Sequence, residues 1–290
     1  MLPERVVVLG ASGHVGGAIA AAFARQGVSV IGHSSKTLDL TRDDFRPLDG
    51  IPWRETGLVF ASALIVQRGQ TLATFAANLT MAINIARYMQ EHAPACCVYI
   101  GSDAVYGAAV NPVTEATPVA PAGYYALAKY AGERLVEWAA LEAGVPLLSL
   151  RLTGVYGPGD PYGHYGPNSF AASVARERVI ELFGQGEEER EHLYIDDIGP
   201  LAIHLLRAGA TGLFNLAPGE SRSLATICDE IQRLVPYEMR VHHLPRTRPI
   251  THRSFDISHL REAIPSVTFT PFLDGLVATL SAAGALHNPA

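Results

Sequence analysis

The sequence predicts an α/β fold, a doubly wound parallel sheet followed by a smaller C-terminal lobe. The chain opens with an apolar strand, a glycine turn and an amphipathic helix, which form the first half of a βαβ unit. Apolar runs of strand length then alternate with helical periodicity as far as Arg151, a pattern typical of parallel strands joined by helices. Beyond Arg151, LTGVYGPGDPYGHYGPN is dense in Gly, Pro and Tyr and indicates an irregular segment near a ligand.

The composition is that of an ordinary globular chain. With 290 residues, of which 48% are hydrophobic and 17% charged, the chain is long enough for one large domain or for one domain with a smaller lobe. The formal net charge is -6, and no Lys/Arg cluster is present. Nucleic acid and anionic membrane are therefore not expected partners, because both are bound by clustered positive charge.

The three cysteines form neither a disulfide framework nor a metal-ligand spacing. Cys96 and Cys97 are adjacent and Cys228 is distant, so we expect buried thiols in a reducing compartment and no metal site. No basic segment with an apolar run after it precedes the first strand, and no apolar run reaches the roughly 18 residues that a membrane span requires. We expect a cytoplasmic protein.

The first glycine turn predicts a dinucleotide site of the Rossmann type. In ERVVVLGASGHVGGAIAAAFARQG the glycines are spaced GxxGxxG, directly after a strand and at the start of a helix. Glycine permits the tight turn and the close approach of the backbone to a pyrophosphate, which then faces the helix N-terminus. The expected cofactor-binding residues of this loop are Gly10, Ser12, Gly13, His14, Val15 and Gly16.

The end of the second strand, VSVIG, favours NADP over NAD. A site that prefers NAD usually carries Asp or Glu there to bind the ribose 2'-hydroxyl, and this chain has Gly32 followed by HSSK. His33, Ser34, Ser35 and Lys36 would receive a 2'-phosphate; the alternative is that they form a polar surface turn. We predict that Asp39, in LDL, lies beside the adenine, and we include Leu40 and Ala61 among the cofactor-binding residues.

The next elements lead to a strand that ends in a polar residue. GLVFASA is predicted as the fourth strand, and TLATFAANLTMAINIARYMQEH has the periodicity of a helix of about six turns. Asn78 on that helix is either tolerated there or anchors water near Lys129, and we count it among the cofactor-binding residues. ACCVYI is predicted as the fifth strand and delivers Ser102 at its carboxyl end, where ligands bind in open parallel sheets.

Ser102, Tyr125 and Lys129 have the spacing of a catalytic group. If Tyr125 opens a helix, Lys129 lies four residues later on the same face, whereas Tyr124 is followed at that interval by Ala128. A cation beside a phenol lowers the pKa of the phenol, which prepares Tyr125 for proton transfer near neutrality. Ser102 is expected to hydrogen-bond the same substrate oxygen.

The remainder of the chain is predicted to contain helices and two strands. SFAASVARERV is a helix, VIELFGQGEEEREHLYIDD a strand and a loop, and IDDIGPLAIHLLRAG a helix capped by Asp196 or Asp197. GLFNLA is a strand and SLATICDEIQRLV a helix capped by Ser223. We assign residues 1–155 and about 192–216 to the dinucleotide-binding domain, and about 156–191 and 217–290 to a substrate-binding lobe.

Six motifs in order carry a family resemblance over nearly the whole chain. They are GASGHVG at Gly10, GSDAVYG at Gly101, YALAK at Tyr125, LRLTGVYGPG at Leu150, REHLYIDDI at Arg190 and FNLAPGE at Phe214. The chain resembles the extended short-chain dehydrogenase/reductases of the NAD-dependent epimerase/dehydratase family, which act mostly on nucleotide sugars. The resemblance also implies a homodimer formed through the helices that carry Asn78 and Lys129.

The resemblance assigns roles to individual residues. The family's Ser/Tyr/Lys triad falls on Ser102, Tyr125 and Lys129, where the Tyr exchanges a proton with a sugar hydroxyl and the Lys also binds the nicotinamide ribose. Arg190, and Arg248 with Pro249 after it, resemble the two arginines that grip the substrate diphosphate, a role to which guanidinium geometry is suited. The alternative for each arginine is a surface salt bridge.

Two departures from the family pattern affect the substrate site. Gly154 stands where family members often have an Asn that contacts the substrate phosphate, so we keep Gly154 among the substrate-binding residues with its contact in question. Dehydratases of the family have Asp-Glu after the catalytic hydroxyl residue, whereas Asp103 is followed here by Ala104. A 4,6-dehydratase is not expected, and Asp103 is retained as a substrate-binding residue and auxiliary acid.

The resemblance implies NAD(P)-dependent hydride transfer at a ring carbon, carbon 4, of a nucleotide-activated sugar. An epimerase would return the hydride to the other face of the sugar, whereas a 4-ketoreductase would consume NADPH; the missing acid after Gly32 favours the reductase and the frequency in the family favours the epimerase. The alternatives are an NADPH-dependent reductase of a small carbonyl compound without a nucleotide and a non-catalytic cofactor-sensing protein, which would usually lack the Tyr/Lys pair.

Overall fold

A six-stranded parallel sheet forms the centre of the structure. The computed structural model describes residues 2–65, 69–108, 111–161, 163, 166–247 and 249–287. The strands are β1 (Arg5–Leu9), β2 (Ser29–His33), β3 (Thr56–Phe60), β4 (Cys96–Ser102), β5 (Leu147–Leu152), β6 (Gly154–Tyr156), β7 (Val179–Phe183), β8 (Glu189–Tyr194), β9 (Gly212–Leu216), β10 (Ser221–Ser223) and β11 (Arg240–Leu244). The helices are α1 (His14–Arg25), α2 (Leu72–His92), α3 (Tyr124–Ala143), α4 (Gly166–Glu177), α5 (Ile195–Arg207), α6 (Leu224–Leu234), α7 (Ser258–Ala263) and α8 (Phe272–Ala282).

Both faces of the large sheet are covered, which is why its central strands are mostly apolar and buried. The strand order is β2-β1-β3-β4-β5-β9, and every neighbouring pair is parallel. Val6 and Val8 of β1 pack on the side of α1 and α5, and Val7 and Leu9 pack on the side of α2 and α3. The predicted fold class is confirmed: the structure is a doubly wound α/β sheet of the Rossmann type.

GLVFASA and ACCVYI contain the third and fourth strands, not the fourth and fifth. Between β2 and β3, a stretch that the structure describes in full, two short 3-10 turns occur and no strand. The Asp39 carboxylate closes a turn there by accepting hydrogen bonds from the Thr41 backbone N–H and hydroxyl, at 3.0 and 2.7 Å. The segment LDL is therefore held as a loop.

Helix α2 has the predicted length and is capped by a reciprocal Thr71–Thr74 box.

One of the two predicted helix caps is wrong. Helix α5 begins at Ile195, so Asp196 and Asp197 lie in its first turn, and its N-cap residue Tyr194 makes no side-chain cap bond. The Asp197 carboxylate instead accepts hydrogen bonds from the backbone N–H and hydroxyl of Thr270, at 3.0 and 2.7 Å. Ser223 caps α6 as predicted, since its hydroxyl accepts from the Thr226 N–H at 3.0 Å.

Two small sheets and three helices build the C-terminal lobe. Strand β8 pairs antiparallel with β10 and parallel with β6, and β11 pairs in parallel with β7. VIELFGQGEEEREHLYIDD thus contains two strands, where the sequence predicted a strand and a loop. Helices α4, α6 and α8 enclose an apolar core that includes Val174, Ile227 and Leu276. None of the described helices combines the length and the apolar character that crossing a membrane requires.

Candidate functional site

The glycine loop forms a close-packed cradle between β1 and α1. Gly10 has φ +92, and a Cβ atom there would lie 2.9 Å from the Ser62 backbone nitrogen. A Cβ atom on Gly16 would lie 2.1 Å from the Gly10 carbonyl oxygen, closer than any real contact. Glycine is therefore required at both positions, and the loop has the tight turn and close helix approach that dinucleotide binding uses.

The N-terminus of α1 opens into a cavity of about 420 Å³. Gly13 is the N-cap residue and offers no side chain to the first-turn N–H groups. The His14 imidazole beside them has a lowered pKa because burial outweighs the nearby Asp160 and Asp196 carboxylates, so it is neutral at pH 7. Backbone donors at a helix N-terminus bind phosphate, and Ser12, Gly13 and His14 on the cavity wall fit the pyrophosphate of a dinucleotide.

Gly32, the residue before the last of β2, lies close against the glycine loop. A Cβ atom on Gly32 would lie 2.8 Å from the Ala11 Cβ atom, so a carboxylate-bearing residue would force the glycine loop to move. The following turn is ordered: the Thr37 N–H donates to the Ser34 carbonyl at 3.0 Å and the Lys36 N–H to the Ser34 hydroxyl at 3.3 Å. Ser35 and Lys36 are exposed on this turn.

The remaining predicted cofactor residues surround the glycine loop. The Ala61 N–H donates to the Leu9 carbonyl at 3.0 Å. Leu40 is buried, and the Asn84 amide donates to its carbonyl at 3.0 Å. Asn78 accepts from the Leu64 N–H at 2.7 Å and donates to the Leu64 carbonyl at 2.9 Å. The Asn78 amide therefore holds the loop after β3, where the sequence had suggested a water near Lys129.

Ser102 and Tyr125 meet at the carboxyl end of β4. Ser102 is the last residue of β4 and caps the 3-10 turn Asp103–Tyr106 by accepting from the Ala104 N–H at 3.2 Å. Tyr125 is the second residue of α3, which starts after Gly123 with φ +102. A hydrogen bond joins the Tyr125 and Ser102 side chains. The strand end and the helix start thus bring together two groups that are 23 positions apart in the sequence.

Lys129 lies one turn along α3 and points to the strand rather than to the phenol. Its side chain is buried, its ammonium donates to the Ile100 carbonyl, and it lies 4.6 Å from the centre of the Tyr99 ring. Burial lowers the pKa of Lys129 to about 8, although the Glu133 carboxylate opposes this shift. Because a value of about 8 is above neutrality, the group is mostly cationic at pH 7.

The expected lowering of the Tyr125 pKa by Lys129 is wrong for this structure. Burial raises the pKa of Tyr125 to about 12; the hydrogen bond from Ser102 lowers it, and the Asp103 charge raises it further. The Lys129 ammonium does not offset the effect of burial on the pKa of Tyr125, because it bonds the Ile100 carbonyl instead. The phenol is therefore protonated at neutral pH and is suited to donating a proton.

A buried ion pair behind the site was missed from the sequence. Glu133 and Arg151 side chains are each 4% exposed and bond through two contacts of 3.0 and 2.5 Å. The Arg151 guanidinium also lies 4.7 Å from the Tyr106 ring centre. Glu133 and Arg151 are 18 positions apart, on α3 and β5, so no local spacing marked the pair in the sequence.

The residues predicted to bind the substrate lie on β8, on β6 and after β4. The Arg190 guanidinium donates to the Thr251 carbonyl and, at 2.8 Å, to the Thr251 hydroxyl, and its charge acts on Asp103. Gly154 lies opposite His192 in the β6–β8 register. Burial and two nearby arginines lower the pKa of His192 to about 3. Arg248 lies outside the described residues.

Arg253 was not predicted from the sequence and contacts residues 103–107, the proposed catalytic loop, directly. Its guanidinium donates to the Asp103 carbonyl at 2.9 Å, to the Asp103 carboxylate at 3.2 Å and to the Gly107 carbonyl. Burial raises the pKa of Asp103, and Arg253 and Arg190 oppose that shift. No local sequence pattern marks Arg253, because its partners are about 150 residues away.

The fold and the site define a dinucleotide-binding α/β enzyme with a hydroxyl, a phenol and an ammonium at the strand ends. The chain belongs to the NAD dependent epimerase/dehydratase family, whose model matches residues 6–217. It is an NAD(P)-dependent enzyme of the extended short-chain dehydrogenase/reductase type, in a family of nucleotide-sugar epimerases, dehydratases and reductases.

Similar proteins are named as synthases, reductases and epimerases. GDP-L-fucose synthase of Sinorhizobium fredii is 25% identical over 254 residues, which cover 81% of each chain. The structure of RMD from Pseudomonas aeruginosa complexed with NADPH matches with a TM-score of 0.86 and 20% identity over 96% of this chain and 98% of that one. UDP-glucose 4-epimerase of Thermus thermophilus in complex with NAD matches with a TM-score of 0.83 and 19% identity over 97% and 99%. At these identities the two structures show the fold.

Proposed function

We propose that this enzyme is an NADPH-dependent reductase of a nucleotide-activated 4-keto sugar. The observation that carries the proposal is that β2 ends in Gly32 and His33 and is followed by Ser34, Ser35 and Lys36, with no acidic residue to bind a ribose 2'-hydroxyl. Ser35 and Lys36 present a hydroxyl and a cation suited to a 2'-phosphate. NADPH is the reductant of choice for a reaction with net consumption of hydride. A relative named dTDP-4-dehydro-6-deoxy-D-allose reductase, from Streptomyces sp and 28% identical over 146 residues, supports the substrate class.

The triad residues then have separate tasks in the reduction. When bound on the glycine loop, NADPH would supply the hydride for the carbonyl carbon. The Tyr125 hydroxyl donates its proton to the carbonyl oxygen, for which its protonated state at neutral pH is suitable. Ser102 donates a hydrogen bond to the same oxygen and orients it, and the Lys129 ammonium, which is mostly cationic at pH 7, would hold the nicotinamide ribose.

We propose that Arg190 binds the substrate diphosphate. Its bonds to Thr251 fix the guanidinium at the edge of the β8–β10 pair, directly opposite Arg222 in the register. Arg248 is proposed as the second diphosphate ligand on the resemblance alone. Asp103 and Gly154 are proposed to face the sugar, and residues 156–191 with 217–290 to form the substrate lobe.

A second candidate is an epimerase at carbon 4. It is favoured by a specific observation, since UDP-glucose 4-epimerase of Mycolicibacterium smegmatis is 24% identical over 95% of this chain and 97% of its own. In that reaction the cofactor would be reduced and reoxidised in place. The phenol that is protonated in this structure would then have to begin the cycle as a base.

One experiment separates the two candidates. The purified protein is incubated with NADPH or NADH and a panel of nucleotide-linked 4-keto-6-deoxy sugars and hexoses, and cofactor and sugar are followed by absorbance and mass spectrometry. Stoichiometric oxidation of NADPH with addition of two hydrogen atoms to a keto sugar is the expected result. Isomerisation of a hexose without net NADPH loss would instead establish the epimerase, and reduction of carbonyl compounds that lack a nucleotide would overturn the substrate class.

We also propose a homodimer formed through α2 and α3. These helices pack on each other and leave large apolar side chains on their outer surfaces. The most exposed are Leu72 at 65%, Trp138 at 59%, Leu141 at 78% and Leu127 at 42%. A second copy of the chain would bury this surface, because apolar side chains at such density rarely stay in water. The cytoplasmic location stays a prediction.

A further inference from the structure

The segment from Thr251 to Phe255 ties the C-terminal lobe to the catalytic loop. On the lobe side, Thr251 bonds Arg190, the Arg253 N–H donates to the Glu189 carbonyl at 3.0 Å, and the Phe255 N–H donates to the Glu191 carboxylate at 2.7 Å. All three of these partners lie on β8. The segment is thus fixed to the strand that carries the proposed diphosphate ligand.

The same segment reaches across to the chain that follows β4. The Arg253 guanidinium contacts Asp103 twice and Gly107 once, and so spans both ends of the 3-10 turn between them. Its side chain is 19% exposed and that of Asp103 is 22% exposed, so water screens the pair only partly. The turn begins directly after Ser102, the hydrogen-bond partner of Tyr125.

Asp103 is the charged group that couples Arg253 electrostatically to the Tyr125 phenol. The Asp103 charge acts on Tyr125, which also interacts with Ser102 and Tyr99 on β4. Asp103 itself faces Arg253 and, from β8, Arg190. An ion-paired carboxylate raises the pKa of a neighbouring phenol less than an unpaired carboxylate does, because the cation cancels much of the carboxylate's field.

We propose that Arg253 is a positioning residue that holds Asp103 away from the Tyr125 hydroxyl and links the phosphate-binding strand β8 to the catalytic loop. The role in turnover rests on the proposed function, whereas the electrostatic coupling does not. When Arg253 is removed, the Asp103 carboxylate is free to accept a hydrogen bond from Tyr125, and that contact opposes ionisation of the phenol.

The coupling is measured without a substrate by placing 3,5-difluorotyrosine at position 125. Its phenol is intrinsically more acidic than that of tyrosine, so it titrates within the pH range that a folded protein tolerates, and its ¹⁹F resonance reports this site alone. We expect Arg253→Met to raise the apparent pKa by about one pH unit and Asp103→Asn to lower it by a similar amount. In the Asp103→Asn background, Arg253→Met should have almost no further effect.

Matched variants separate this coupling from a general loss of structure. Arg246 also makes three contacts in the same lobe, with Glu187, Glu188 and the Phe183 carbonyl. Arg246→Met should leave the ¹⁹F titration unchanged, and Arg253→Lys should restore most of the wild-type value because it keeps the charge. If Arg253→Met does not fold, the single variants Asp103→Asn and Arg253→Lys test the coupling by the same ¹⁹F titration.

The proposal is overturned if Asp103→Asn leaves the titration unchanged, or if Arg253→Met shifts it equally with and without the Asp103 carboxylate. Either result would stand whether or not the enzyme reduces a keto sugar. Conversely, failure to turn over any nucleotide sugar would leave the fluorotyrosine result intact. The two proposals therefore fail separately.

Discussion

Replacing Glu133 by Gln tests how much the buried pair behind the catalytic strand stabilises the protein. The Glu133 and Arg151 side chains are each 4% exposed and share two hydrogen bonds. Glu133→Gln keeps the side-chain volume but leaves the Arg151 charge buried without its counter-ion. Breaking one partner of such a pair costs about 3–5 kcal/mol. At about 2–4 °C per kcal/mol, the thermal midpoint should fall by roughly 6–20 °C.

The control lies one turn further along the same helix. Arg134 and Glu137 form an ion pair that is 39% and 46% exposed, so Glu137→Gln should cost only about 0.3–0.5 kcal/mol. Both variants are compared by calorimetry and urea unfolding at one pH. The double replacement Glu133→Leu with Arg151→Met should be less damaging than Glu133→Gln, because it removes both charges together. Equal losses for Glu133→Gln and Glu137→Gln would refute the reasoning.

Four further predictions concern the site and the assembly. Tyr125→Phe should reduce turnover by about 10²–10⁴-fold while NADPH binding, followed by fluorescence, is nearly unchanged; normal turnover would exclude the triad. Lys36→Ala should weaken NADPH binding more than NADH binding in calorimetric titrations, and an equal loss would remove the argument for the 2'-phosphate. Because the pKa of Lys129 is about 8, turnover should fall as pH rises through that value and Lys129 loses its charge; a rate that stays flat to pH 9 would contradict this role. Trp138→Glu should convert a dimer to monomers in sedimentation runs, since it places a charge on the exposed face of α3; a wild-type protein that is already monomeric would refute the dimer.

The lowered pKa of Lys129 also affects stability in a defined direction. Its pKa is about 8 in the folded chain against an ordinary 10.5, so the unfolded chain binds more protons between these values. The contribution of this group to the free energy of unfolding therefore rises from about pH 8 to pH 10.5, and it is unfavourable and constant below pH 8. Lys129→Met, compared with wild type by urea unfolding, should remove this rise.

The features that depend on spacing along a single element could be predicted from the sequence. GxxGxxG between a strand and a helix is a local requirement for φ and for close approach, and Gly10 and Gly16 meet it in the structure. Likewise Lys129 had to lie one helical turn from Tyr125 once α3 formed. The parallel sheet followed from apolar runs alternating with helical periodicity, and Ser223 was recognisable as a cap from its position before an apolar helix.

The tertiary structure decided what each group does, because burial and long-range contacts are not encoded in spacing. The direction of the Lys129 ammonium depends on the Ile100 carbonyl of β4, and the pKa of Tyr125 depends on how much water the fold removes. Asp39 and Asp197 took turn and tertiary partners that the local pattern did not show. Arg253 reaches the catalytic loop from about 150 residues away, so only the packing of the lobe against the sheet placed it there.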